Sequence, residues 1–164
     1  TYDANARVVG ELETGLIDAQ IAAADPGTAR VAFGGSFGAA IVDPDDGTVV
    51  RIADTRSARS LGFVRDGELL VIVGSDGDVR LWDTERNESA GFVWNGTGAG
   101  FPTSPWYDSA ADSVWVVTSG NLIEIPLSVE RWVRRACELV GRDLTQDEWD
   151  RFVPGRGRVV SACA

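Results

Sequence analysis

The chain of 164 residues has no histidine, no lysine and no methionine, and only two cysteines. Each absence removes a piece of chemistry. Without His, no Ser-His-Asp or Cys-His arrangement can be assembled, because no imidazole base is left. Without Lys, a Gly-rich loop lacks the lysine that a phosphate-cradling loop requires. Two sulfur ligands with no His do not complete a tetrahedral zinc site, and two cysteines are too few for a disulfide scaffold. A natural reading frame starts with Met, so the missing Met leads to the expectation that this sequence is a piece of something longer. No apolar run approaches the roughly 20 residues that a membrane span needs, and no signal peptide is read at its start. The balance suits a cytoplasmic protein.

Arginine supplies all the positive charge, 15 residues against 25 acids, for a net charge of −10. Binding to nucleic acid rests on neutralising phosphates with Lys and Arg, so this balance argues against it. Apolar residues at 44% and charged residues at 24% are ordinary for a globular protein long enough to bury one core. The charge is unevenly spread: residues 128–164 hold seven arginines against six acids, and the acidic excess lies in residues 1–127. The chain is therefore expected to divide near Pro126, into residues 1–127 and a tail of residues 128–164.

What is present is a repeat. The stretch "VGSDGDVRLWDTERNESAGF" at residues 73–92 places an acidic-Gly turn before an alternating run that ends in Trp82-Asp83. Forty residues earlier stands Val42-Asp43, and forty before that Tyr2-Asp3. "AAADPGTARVAFGGSFGAAIVD" matches "LGFVRDGELLVIVGSDGDVRLWD" in register, and a third copy, "PWYDSAADSVWVVTSGNLIEIP", is shifted by about three residues. In the middle unit the pattern predicts strands at Leu61–Arg65, Glu68–Val73, Val79–Trp82 and Ala90–Trp94, with Asp76-Gly77 as a tight turn. Gly120-Asn121 is another hairpin signal, between Val114–Thr118 and Leu122–Ile125. The apolar second strands, Arg30–Phe33, Leu69–Val73 and Val114–Val117, fit burial on both faces. By the same register "FGGSFG" at 33–38 is a turn, not a phosphate loop.

Four short strands per unit of about 40 residues indicate a β-propeller blade. Residues 1–127 resemble the WD40 family, best through "GSDGDVRLWD", where the resemblance implies that Asp76 organises the second hairpin. The family's histidine is missing, so its fuller network cannot form and Asp76 satisfies only its own turn. The fold class implied is all-β: a WD40-like propeller fragment of about three blades plus part of a fourth. Blades bury their faces only against neighbours. The chain is therefore expected as an oligomer or complex, completed by the parent's remaining blades, another chain or a second copy.

After Pro126 the period changes to 3.6. Ser128 is placed to cap a helix with apolar positions Val129, Trp132, Val133, Ala136, Cys137 and Val140, stopped by Gly141. "LTQDEW" supplies a capping box of Thr145 and Glu148, with Leu144 and Trp149 as its hydrophobic staple. A second helix is read from Gln146 to Val153, ending at Pro154-Gly155. The expectation is an αα-hairpin docking Trp132 and Trp149 onto the last blade. The tail, through Trp132, Ala136-Cys137, Gly141-Arg142, Leu144-Thr145, Glu148-Trp149 and Cys163, resembles the ending of bacterial signalling ATPases of the STAND class that carry WD40 propellers. Arg-for-Lys usage likewise resembles high-GC actinobacterial proteins. Such parents place an effector module and an ATPase before the propeller, whose implied role is that of sensor arm.

Cys137 and Cys163 admit either a bond pinning Gly157–Cys163 onto the first tail helix or two buried thiols, which a reducing cytoplasm favours. "DPDDG" at 43–47 and "DGD" at 76–78 offer oxygen ligands suited to calcium, but without EF-hand spacing they read as solvated turns. Phe101, Trp106 and Tyr107, in or beside the Gly-rich connection, are candidates for a partner-binding surface, with core packing as the alternative. No catalytic residue, cofactor or metal site is assigned. The reading is a non-enzymatic protein–protein interaction and sensor module in signal transduction. The alternatives are a ligand- or calcium-binding lectin-like propeller closed by oligomerisation, and the regulatory half of an enzyme on another chain.

Overall fold

Short apolar runs separated by Asp- and Gly-rich turns satisfy their backbone groups only by pairing with neighbours, and here they pair into three antiparallel sheets. The computed structural model describes residues 18–52, 57–94, 104–118 and 120–152, with Glu13, Thr14, Leu16, Thr55, Gly157, Arg158, Ser161 and Cys163 besides. Strands β1 (Ile21–Ala24), β2 (Val31–Gly35), β3 (Gly38–Val42) and β4 (Val49–Ile52) form the first sheet in simple sequence order. Strands β5 (Ala58–Val64), β6 (Leu69–Gly74), β7 (Val79–Asp83) and β8 (Glu88–Trp94) form the second, with a 3-10 turn at Arg65–Gly67. The third contains β9 (Trp106–Asp108), β10 (Ser113–Thr118) and β11 (Asn121–Pro126). Helices α1 (Val129–Val140) and α2 (Gln146–Phe152) follow.

The fold is thus mostly β, and the forty-residue spacing reappears as geometry. Asp43 follows β3 and Asp83 ends β7. Each carboxylate accepts from the backbone two residues on, at Asp45 N (2.9 Å) and Glu85 N (3.0 Å). Asp3 lies outside the described residues. Strand bounds differ from the sequence reading mainly at the first and last strands of the middle unit. There β5 starts three residues earlier, at Ala58, because Ala58 pairs with Gly74 across a bulge. β8 starts at Glu88, opposite Asp83.

The core lies between the sheets. One cluster joins Ala32, Ala39, Ile41 and Ile52 of the first sheet to Ala58, Leu61, Leu70 and Ile72 of the second. Another joins Val64, Val71, Val73, Val79 and Leu81 of the second to Val114, Val116 and Ile125 of the third, with Leu127 just beyond β11. Strand β6 is shared by both: Leu70 and Ile72 face one neighbour, Val71 and Val73 the other. Its continuous apolar run is the physical consequence of a strand covered on both faces.

The tail caps are as expected. Ser128 Oγ accepts from Arg131 N, and Gly141, at φ 72°, closes α1 with its N–H on Cys137 O. The described end of α2 is Phe152, and Val153, Pro154 and Gly155 lie outside the described residues. No helix among the described residues is long and apolar enough to cross a membrane.

Candidate interaction surface

Each junction between sheets is closed by an Arg–Asp pair at the turn between first and second strands. In the first sheet the buried Asp25 carboxylate accepts from Gly27 N (2.9 Å), Thr28 Oγ1 (2.7 Å) and Arg30 Nε and Nη2 (2.9 and 2.6 Å). Arg30 crosses to the second sheet, donating to Gly67 O at 3.2 Å and lying over the Phe63 ring. Burial alone would raise the Asp25 carboxyl, but hydrogen bonds from Thr28, Gly27 and Arg30 outweigh it and hold it below the usual range. Gly67 sits at φ 91°, and a Cβ there would strike that carboxylate. At the next junction Arg65 donates to Asp112 and to Leu127 O, and the Tyr107 hydroxyl donates to the same carboxylate. The Arg65 hydrogen bond holds Asp112 below its ordinary value. In sequence these pairs are visible only as polar residues in turns.

The acidic turns use their own carboxylates. Asp46 Oδ1 accepts from Thr48 N (2.8 Å), as Asp43 does from Asp45 N. Asp76 belongs to the turn closed by Gly74 N on Asp78 O (2.9 Å). The neighbouring Asp78 is buried and receives Arg80 Nε at 2.8 Å. Burial, together with its hydrogen bond to Asp76, pushes the Asp78 carboxyl up, while that shared bond holds Asp76 down.

Trp106 and Tyr107 do not share a surface. Successive strand residues point to opposite faces, and Tyr107 lies opposite the buried Val114 while Trp106 lies opposite Trp115. Tyr107 packs against the core between second and third sheets, where burial raises its hydroxyl pKa. It therefore leaves the proposed contact surface. Phe101 lies outside the described residues. Trp106 is 62% exposed on the outer face of the third sheet, beside half-buried Trp115 and Val117 and the 64% exposed Leu122.

That face has a counterpart within the molecule. Val73–Val79 and Val71–Leu81 are paired across β6 and β7 as Val117–Leu122 and Trp115–Glu124 are across β10 and β11. In the second sheet these positions are buried under the third. In the third sheet no described sheet covers them.

The tail is attached differently from the expectation. Helix α1 buries none of its residues, and Trp132 is 41% exposed. Arg131 makes the attachment: Nη1 donates to Ser113 Oγ (2.6 Å) and Ala111 O (3.1 Å), and Nη2 to Glu124 Oε1 (2.8 Å). The rim of the third sheet offers α1 a serine and a glutamate, so a guanidinium docks where tryptophan was expected. Trp149 is half-buried, with its indole N–H facing no partner among the described residues. Thr145 and Glu148 form the reciprocal cap, Thr145 N to Glu148 Oε2 at 2.9 Å and Glu148 N to Thr145 Oγ1 at 3.3 Å. Arg142 clamps the same carboxylate bidentately and, with the cap, lowers it to about 2. Cys137 and Cys163 are joined in a disulfide, Cα–Cα 5.3 Å, pinning the chain end to α1. Asp143 supports it by accepting from Cys163 N (2.8 Å) and Ser161 Oγ (2.6 Å).

Between α1, the edge of β11 and the end of β8 runs a cleft of about 700 Å³, lined by Trp94, Ile123, Glu124, Trp132, Arg134 and Arg135 among others. Among the described residues no three His, Cys, Asp or Glu side chains gather as a metal cage. The class defined by these features is a stack of three antiparallel sheets, two of four described strands and one of three, with an apolar end face. Comparison with family models and with curated proteins yields no match.

Proposed function

We propose that the chain is a non-catalytic protein–protein interaction module, part of a WD40-like β-propeller with a helical ending. On this reading it is the sensor portion of a multidomain bacterial signalling or regulatory protein. The observation that carries the reading is the exposed apolar face at Trp106 and Leu122, whose counterpart in the second sheet is sealed beneath the third. A repeat whose units bury themselves only on their neighbours leaves such a face for a further unit or partner. An arginine crossing each junction supports the same view, Arg30 to Gly67 O and Arg65 to Asp112 and Leu127 O. A cytoplasmic location belongs to this reading, and there the Cys137–Cys163 bond would exchange with the reduced thiol pool.

The test is the association state. Sedimentation and small-angle scattering should find assemblies above 17.5 kDa. Trp106→Asp with Leu122→Asp should return a folded monomer. A compact monomer of the unaltered chain at every concentration would refute the proposal.

A further inference from the structure

Among the described residues the third sheet holds three strands, where the first and second sheets hold four. In the first and second sheets the third strand pairs on its far side with a fourth, β4 on β3 and β8 on β7. Among the described residues no strand pairs with the far edge of β11. The cleft of about 700 Å³ lies at that edge, with α1 as its opposite wall. Trp94, opposite Val79 and so on the side of β8 turned toward the third sheet, is 40% exposed beside it.

We infer that this cleft binds an extended acidic segment of a partner protein, added antiparallel to β11 as a fourth strand. The inference rests on reading the chain as an interaction module, but assigns a surface other than the Trp106–Leu122 face. Strand addition draws affinity from main-chain hydrogen bonds and specificity from alternate side chains. The first sheet supplies the template: Val50 and Ile52 of β4 stand opposite Ile41 and Ala39 and face the neighbouring sheet, while Arg51 between them is exposed. In the third sheet it is Ile123 and Ile125 that face a neighbouring sheet, the second, on the side of Trp94. A segment pairing there would set alternate apolar residues against them and over Trp94, covering what is open now.

The intervening residues would face the α1 wall. That wall carries Arg131, Arg134 and Arg135 against Glu124 and Glu138. Arg131 is held by Glu124 and Arg135 by Glu138, while Arg134 has no ion-pair partner among the described residues. In a chain of net charge −10 this is a local basic surface. Carboxylates at alternate positions are its complement, since arginine binds them through paired N–H bonds.

The probe is a capped six-residue peptide alternating Ile and Asp, titrated into the full chain with amide hydrogen exchange as readout. Binding should slow exchange at Leu122 and Glu124 and leave β6 unchanged. Arg134→Glu with Arg135→Glu, both on an exposed helix face, should weaken binding about tenfold. The same peptide with alternate backbone nitrogens methylated should not bind. Equal binding of an Ile/Lys peptide would overturn the charge argument, and with it the inference. So would Leu122 and Glu124 amides already protected without peptide, which would mean that the chain itself or a second copy fills the edge. If the peptide fails while Trp106→Asp with Leu122→Asp still disrupts association, the strand site falls and the proposed function stands.

Discussion

Truncating Asp25 to alanine tests whether the sheets are held together by their turns as well as by their apolar faces. The Asp25 side chain is fully buried while its partner Arg30 is 22% exposed. Asp25→Ala removes four hydrogen bonds, two of them from the guanidinium that reaches Gly67 across the junction. Orphaning one member of a buried pair costs about 3–5 kcal/mol. Water can reach the exposed part of Arg30, so screening trims the loss to about 2–3 kcal/mol. With a urea slope of about 2 kcal/mol/M, the midpoint should fall by about 1–1.5 M. Arg86→Ala, which removes an ion pair from an arginine that is 72% exposed, should leave the midpoint where it was.

The pH dependence sharpens the test. The Asp25 carboxyl is held below its ordinary range. The stability it supplies is then complete above that range and disappears as pH falls through its folded value. The gap between unaltered protein and Asp25→Ala should therefore narrow in acid. A gap under about 0.5 kcal/mol at neutral pH, within the scatter of surface substitutions, would refute the reasoning. So would a gap that stays constant down to acid unfolding.

Three further outcomes are expected. Leu70→Ala and Val71→Ala lie on opposite faces of β6 in separate clusters, and should cost about 3 and 2 kcal/mol in urea titrations; a loss under about 1 kcal/mol from either would mean that one face is not packed as described. Replacing both Cys137 and Cys163 by serine opens a loop with a sequence separation of 26. The chain-entropy model gives about 3–4 kcal/mol for such a loop, and hydrogen exchange should rise in α1 and around Cys163 while β6 stays protected. Glu148, lowered to about 2 by Arg142 and the Thr145 cap, should titrate near there in carboxyl-detected NMR. Arg142→Gln should move the midpoint toward the ordinary carboxylate range, and the cap's support of α2 would then be lost at higher pH than in the unaltered chain.

Much of the architecture was legible in the order of residues. Alternation, the Asp76-Gly77 turn and the forty-residue spacing located the strands whose bounds were read to within three residues. Asn121, read as half of a turn, instead opens β11 opposite Thr118. Ser128, Gly141, Thr145 and Glu148 marked helix boundaries because caps are local, made by residues three or four apart. The candidate contact surface was legible only in part. Trp106 and Tyr107 are neighbours in sequence, and which of them faces outward depends on the register of β9 against β10. The tryptophans of the tail looked like anchors by their apolar spacing. Yet a helix stripe docks only where its neighbour offers apolar surface, and the third sheet presented Ser113 and Glu124 to Arg131.

The sequence by itself determined the strand pattern, the turns, the two helices and the chemistry the chain cannot perform, because those depend on residue type and short spacing. Tertiary structure alone decided which apolar positions are sealed and which stand open, and it brought Arg30 to Gly67 and Arg65 to Asp112. The reason is that burial belongs to pairs of sheets rather than to strands. Val79 and Leu122 hold equivalent places in their hairpins, and only the presence of a covering sheet makes one a core residue and the other a surface.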